Sequence, residues 1–264
     1  MMIIAERING TIPSVKDIIL NRDTQGLMGL ARGQADAGAS YIDVNVSTGA
    51  GSPEDEIQAM KWAVETIQGE LETPLCIDSS DPAVLAAGLK SRRGKPTMLN
   101  STKAEQKSLE AVIPLAKEYN TPFVALTMGA SGIPKSVKDR IRAGEKIVEA
   151  CKRYGVPIEK VFFDLLVMPI STDVKQGLTT LVAVTEIKKE FPGCSTVLGI
   201  SNISFGLPGR ARLNAGFLHM AAYAGLDAAI VDILDKEMAA AVRTAGLLSG
   251  KDEYCRNYLR AFRH

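Results

Sequence analysis

The sequence predicts a (β/α)8 barrel, on three observations. Eight short apolar runs alternate with longer helical stretches, polar residues close nearly every run, and the chain has the length that such a barrel needs. The runs are IIAERI (3–8), YIDVNV (41–46), LCIDS (75–79), TMLNS (97–101), FVALTM (123–128), VFFDLL (161–166), TVLGIS (196–201) and AAIVDI (228–233). Each is a nearly continuous apolar stretch, as expected of strands covered on both faces. The segments between them are long enough for helices, among them 53–71, 136–154 and 213–224. Ser52 and Asp81 each stand just before a proline, so a capping side chain precedes proline at a first helical position. Gly38, Gly155 and Gly225 fall where helices should stop. The first run is not followed by Gly-x-Gly-x-x-Gly, which removes the signature of an open dinucleotide-binding sheet. The count of eight favours a closed barrel, and without a Pro/Gly/Ser-rich linker one domain spans 1–264.

Composition narrows the function. Hydrophobic residues are 46% and charged residues 23% of 264, an ordinary globular mix. Lys plus Arg number 31 against 30 Asp plus Glu, so bulk charge argues against nucleic acid and anionic membranes as partners. Cys76, Cys151, Cys194 and Cys255 are scattered, with no disulfide framework and no zinc spacing; a reducing compartment and no protein-bound metal are expected. The histidines are His219, in a predicted helix, and His264, the last residue, which argues against imidazole acid–base chemistry. The opening MMIIAERING is too short and charged for a signal segment, and no run reaches 18 apolar residues, so a cytoplasmic location is expected.

Position is the informative feature. Glu6, Asn9, Asp43, Asn45, Asp78, Ser79, Asn100, Ser101, Thr127, Asp164, Ser201, Asn202 and Asp232 lie at strand ends. In a barrel these ends converge on the C-terminal mouth, where active sites are built. Buried polar groups need partners, and a ligand rich in donors and acceptors would supply them. Carboxylates and amides dominate and cations are few, the wrong balance for a phosphate-centred ligand. A carboxylate can take two parallel N–H bonds from an amidine-like edge, and the 2-amino-4-oxo edge of a pterin is one. Asp232 is expected to be structural, and Ser79, Ser101 and Thr127 to orient neighbours, since no base partners them.

The stretches AERING (5–10), YIDVNV (41–46), CIDSS (76–80), LNST (99–102), LTMGASGIP (126–134), FFDLLVMP (162–169), TVLGISNISFGLP (196–208) and GLDAAIVD (225–232) resemble the methyltetrahydrofolate–corrinoid methyltransferases. The resemblance is collinear and touches every predicted strand. It implies a pterin-binding barrel moving a methyl group between N5 of methyltetrahydrofolate and the cobalt of a corrinoid protein. By the same resemblance Asp78, Asn100 and Asp164 hold the pterin, Asn202 reaches N5, and Gly199 and Ser201 shape the same wall. Asp43, Asn45, Lys188 and Arg210 match further polar and basic residues near the site. After Asn202 the chain reads ISFGLPGR, where some relatives carry longer-armed polar residues. The resemblance also implies tetrahydrofolate as substrate, cobalamin-type corrinoid on a partner protein, and a homodimer.

An amine is a poor leaving group unless its nitrogen gains a proton or a hydrogen bond that strengthens as charge builds, and Asn202 is assigned that donor. Two other enzymes on this barrel fit the sequence less well. A dihydropteroate synthase must hold a diphosphate, for which Lys103, Lys135 and Arg210 are a thin set. A Schiff-base aldolase needs a lysine on a strand, and the eight runs carry none. A folate-binding or corrinoid-docking protein without catalysis is the remaining alternative.

Overall fold

The structure, a computed structural model, describes residues 1–130 and 132–263; Ser131 of the LTMGASGIP stretch and His264 lie outside them. Strand β1 (Met2–Asn9) leads through two helices, α1 (Pro13–Leu20) and α2 (Thr24–Asp36), to β2 (Tyr41–Asn45). Helix α3 (Pro53–Glu70) starts in a capping box between Ser52 and Asp55, with Pro53 in its first turn. Then follow β3 (Leu75–Asp78), α4 (Pro82–Ser91), capped by the Asp81 side chain, β4 (Thr97–Lys103) and α5 (Gln106–Glu118). After β5 (Phe123–Leu126) comes α6 (Val137–Tyr154), ended by Gly155 at φ 66°. Next are β6 (Val161–Asp164), α7 (Gln176–Glu190), β7 (Ser195–Gly199), α8 (Arg210–Tyr223) and β8 (Ala228–Val231). Helices α9 (Lys236–Leu248) and α10 (Arg256–Phe262) follow the last strand.

Every strand pairs in parallel with the next, and β8 closes on β1 from Met2↔Ala228 to Ala5↔Val231. That last pairing makes the sheet a closed barrel. Among the described residues no helix is long and apolar enough to cross a membrane.

The barrel has two apolar layers. Between strands and helices pack Ile42, Val44, Ile77, Leu99, Phe123, Phe163 and Leu198 with the inner helix faces. Inside the barrel Ile4, Cys76, Met98, Val124, Phe162, Val197 and Ala228 form a separate plug, with Tyr41 against it. Side chains alternate along a strand with period two. The next inward position toward the C-terminal end is therefore Glu6, Asp43, Asp78, Asn100, Leu126, Asp164, Gly199 or Ile230 on β1 to β8. An apolar floor carries a polar ring above it.

Strands β5, β6, β7 and β8 stop two residues short of the predicted ends. At β6 and β8 the terminal carboxylate causes this. Asp164 accepts from the Leu166 N–H (2.8 Å) and Asp232 from the Leu234 N–H (3.1 Å), turning the chain out of the ladder. Helix α8 begins earlier than predicted, at Arg210 behind Gly209 at φ 64°.

Candidate active site at the barrel mouth

Asp43 and Asn45 lie one above the other on the inner face of β2, and register sets Asn45 beside Asp78 and Asp78 beside Asn100. These four side chains bond as a set. Asn45 Nδ2 donates to Asp78 Oδ2 at 2.8 Å, and Asn100 Nδ2 donates to Asp43 Oδ1 at 3.2 Å. Asn45 Oδ1 accepts from the Ser47 N–H at 3.0 Å, so both ends of that amide are spent. Each amide nitrogen faces a carboxylate, which settles which way the amides point.

Asp43 is only 3% exposed. Burial, then the charge of Asp78, pushes its carboxyl well above the usual range. Burial raises Asp78 too, while hydrogen bonds from Asn45 and Asp43 pull the other way. Burial thus favours the neutral form at both carboxyls, most strongly at Asp43. Burial keeps the Cys76 sulfur beneath them a neutral thiol.

Asp164 stands across the mouth on β6, with Leu126 of β5 between it and Asn100 in barrel order. Its carboxylate faces the cavity but is walled in by protein. Burial pushes it up to about 6, against the Leu166 N–H and the charge of Arg140, which favour the ionised form. Thr127 Oγ1 donates to the Asp164 carbonyl at 2.9 Å and pins the strand end.

Beyond β7 the chain enters a short 3-10 turn, Ile200–Ser204, that carries Ser201 and Asn202. A Cβ on Gly199 would stand 3.1 Å from Asn202 Nδ2, so the amide hangs over the inward position of β7 and needs glycine there. Asn202 is exposed and makes no side-chain hydrogen bond among the described residues. Beside it a cleft of about 220 Å³ is lined by Glu6, Ser201, Arg210 and Asp232. Burial first, then Asp232, raises the Glu6 carboxyl, opposed by the Ser201 hydroxyl and Arg210. Arg210 donates to the Ser201 carbonyl (2.8 Å) and Ser204 Oγ (3.0 Å), which fixes the turn.

Asp43, Asn45, Asp78, Asn100, Asp164, Gly199, Ser201, Asn202 and Arg210 thus gather at one mouth. Lys188 does not. Its ammonium pairs with Asp227 at 2.7 Å and donates to the Gly225 carbonyl at 3.0 Å. Asp227 precedes β8 and also accepts from Thr196 N at the start of β7, so this pair closes the opposite end of the barrel. The expectation for Lys188 fails because α7 runs back antiparallel to the strands and its last turn returns to their N-terminal side. Asp232 is occupied by Arg7 (3.1 Å) and by its own turn. Ser79 bonds Glu56 and the Asp81 N–H. Asn9 Oδ1 takes the Thr11 N–H and hydroxyl.

One residue escaped the sequence reading. Arg140 is fully buried behind Asp164, on an α6 face shared with Ala143, Gly144, Ile147, Ala150 and Cys151. The signal was a cation in register with small and apolar residues at helical spacing.

A family profile described as "Pterin binding enzyme" matches residues 5–232. The chain is 35% identical to a methylcorrinoid:tetrahydrofolate methyltransferase of Eubacterium limosum, over 100% of this chain and 96% of that one. It is 30% identical to a methionine synthase of Mycobacterium leprae over 88% of this chain, spanning only 20% of that protein. Among solved structures, the dihydropteroate synthase of Stenotrophomonas maltophilia superposes with a TM-score of 0.73 at 16% identity, covering 96% of this chain and 93% of that one. A Yersinia pestis DHPS gives 0.71 at 17%, covering 94% and 93%. At these identities the likeness is one of fold.

Proposed function

The chain belongs to the pterin-binding enzymes, among the folate–corrinoid methyltransferases, and from that premise we propose how its barrel mouth works. It is a methyltransferase. The finer reading is that the methyl group moves between N5 of a tetrahydrofolate and the cobalt of a corrinoid held by a separate protein. The direction we assign is from methylated corrinoid to tetrahydrofolate, as the name of the full-length Eubacterium limosum relative states for that protein.

The observation that carries this is the division of donors and acceptors around the mouth. Asn45 and Asn100 each commit one amide N–H, to Asp78 and Asp43. The β2–β4 wall therefore offers acceptors, Asp78 and the Asn100 carbonyl, and Asp164 offers another from β6. A pterin edge carrying amino and ring N–H groups meets such a lining well. Leu126 supplies an apolar surface between the two walls. Asn202 is the mouth amide with its own N–H groups uncommitted.

N5 of tetrahydrofolate loses a proton as it gains the methyl, and in the reverse direction it must gain one before the methyl leaves. The Asn202 amide serves both, its carbonyl accepting from N5–H and its N–H donating to the N5 lone pair. That contact strengthens as charge develops on the nitrogen, so it acts on the transition state more than on binding. The proton itself passes through water or a neighbouring carboxylate. The corrinoid supplies the cobalt–carbon chemistry. We test the reading by single-turnover methyl transfer with methylcobalamin and tetrahydrofolate, and in reverse with cob(I)alamin. Absence of transfer in both directions overturns it.

A homodimer belongs to the same reading. Val174 just before α7 and Leu178, Val182, Met220 and Tyr223 on α7 and α8, the last 95% exposed, make one apolar face on the outside of the barrel. We assign that face to a second copy of the chain.

A further inference from the structure

Arg140 is 0% exposed, yet forms no ion pair among the described residues. Its Nη1 donates to Thr180 Oγ1 at 3.0 Å and its Nη2 to Gln176 Oε1 at 3.3 Å, both neutral side chains of α7; its Nε has no partner among the described residues. A buried guanidinium is costly unless a negative charge answers it. The carboxylate that it feels is Asp164. The two are also joined through the backbone. Thr180 Oγ1 donates to the Leu166 carbonyl at 3.3 Å, and Leu166 N donates to Asp164 Oδ1 at 2.8 Å. Leu166 holds φ 63°, a left-handed conformation that a branched residue keeps only when its surroundings enforce it.

We propose that Arg140 is a positioning residue for the pterin site: through Thr180 it holds Leu166 in the turn that aims Asp164, and it is the buried counter-charge of that carboxylate. This rests on the reading of Asp164 given above. Around Asp164 the other elements bring neutral groups, Leu126 from β5 with Thr127 just after it, Val197 from β7, and Gln176 and Thr180 from α7. Arg140 is the charged group set against it among the described residues.

The test reads the Asp164 carboxyl directly, by ¹³C NMR of aspartate-labelled free protein, with Asp164→Asn to assign the signal. In Arg140→Met the titration midpoint rises by ~1 unit, and the pH profile of tetrahydrofolate affinity moves with it. If Arg140→Met does not fold, Arg140→Lys serves. An ammonium cannot span Thr180 and Gln176 and gives up its proton readily when buried, so the shift keeps its sign. Thr180→Val keeps the charge but cuts the link to Leu166; it weakens folate binding even at pH 8, where ionisation no longer limits. A merely structural arginine would lower the melting temperature and leave the midpoint alone. An unmoved midpoint in a folded Arg140 variant overturns the inference whatever Asp164 binds. A moved midpoint with folate affinity indifferent to Asp164→Asn overturns the pterin reading, and the proposal with it.

Discussion

Replacing Asp164 with asparagine keeps the size of the side chain and removes one acceptor and the charge. If the carboxylate grips the N–H edge of a pterin, the loss at pH 7.5 is that of charge-assisted hydrogen bonds, ~1.5–3 kcal/mol, or about 10- to 150-fold in the dissociation constant. The structure adds a pH signature. The free carboxyl titrates at about 6, and the ligand selects the ionised form. Affinity is therefore full above that value and is lost as pH falls through it. With about 97% ionised at pH 7.5 and about 9% at pH 5, wild-type binding weakens ~10-fold over that span. Asp164→Asn has no such step. Calorimetry of tetrahydrofolate binding to both proteins at both pH values gives the ratio of their constants, in which titration of the ligand cancels. That ratio should shrink ~10-fold from pH 7.5 to 5. A ratio of one at pH 7.5, or one that does not change with pH, refutes the reasoning.

Stability carries the opposite sign. A carboxyl raised from 3.8 to about 6 in the folded protein contributes stability present below pH 3.8 and lost as pH rises through 6. The ligand-free Asp164→Asn protein should thus melt higher than wild type at pH 7.5, by no more than about 3 kcal/mol, and lose that advantage near pH 4.

Three further outcomes follow from the mouth and the α7/α8 face. Asn202→Ala should cut single-turnover methyl transfer ~100- to 1,000-fold while changing tetrahydrofolate affinity far less; a rate within threefold of wild type removes its assigned role. Gly199→Ala places a methyl group 3.1 Å from Asn202 Nδ2, on the face that the ligand would touch, and should weaken both binding and rate. Unaltered kinetics would mean that the amide and ligand keep clear of that wall. Val182→Asp should convert a dimer to a monomer in light scattering without changing folate affinity, and a wild-type monomer would dispose of the assigned interface.

The barrel was legible because strands covered on both faces carry an apolar run, and each ran to a polar residue at a predictable end. The carboxylates and amides of the mouth followed from position at the strand ends, and Gly199 and Arg210 from the family resemblance. Their bonding did not. That Asn45 answers Asp78 and Asn100 answers Asp43 depends on the register of β2 to β4, which no single strand encodes. Lys188 was misplaced because a residue's distance along a helix, not its chemistry, decides which end of the barrel it reaches. Arg140 was missed because charge reads as surface, whereas this guanidinium sits in the apolar stripe of α6.

The free mouth also explains how so many carboxylates stand together with few cations. Burial raises the carboxyls of Asp43, Asp78 and Glu6, Arg210 opposes the rise at Glu6, Arg7 pairs with Asp232, and Arg140 stands behind Asp164. Burial thus disfavours the ionised form on β1, β2 and β3, while at Asp164, titrating at about 6, the charge of Arg140 opposes that effect. Under the proposed function a ligand bound across the mouth would meet two different acceptors, the Asp164 carboxylate at one edge and the amide-braced Asp43–Asp78 pair at the other. The charged edge discriminates by charge and geometry, since only paired N–H donors repay the desolvation of Asp164. The braced edge is already satisfied and can be engaged with little rearrangement. Under the proposed function a flat heterocycle would be oriented by its most polar edge, which would leave N5 to Asn202.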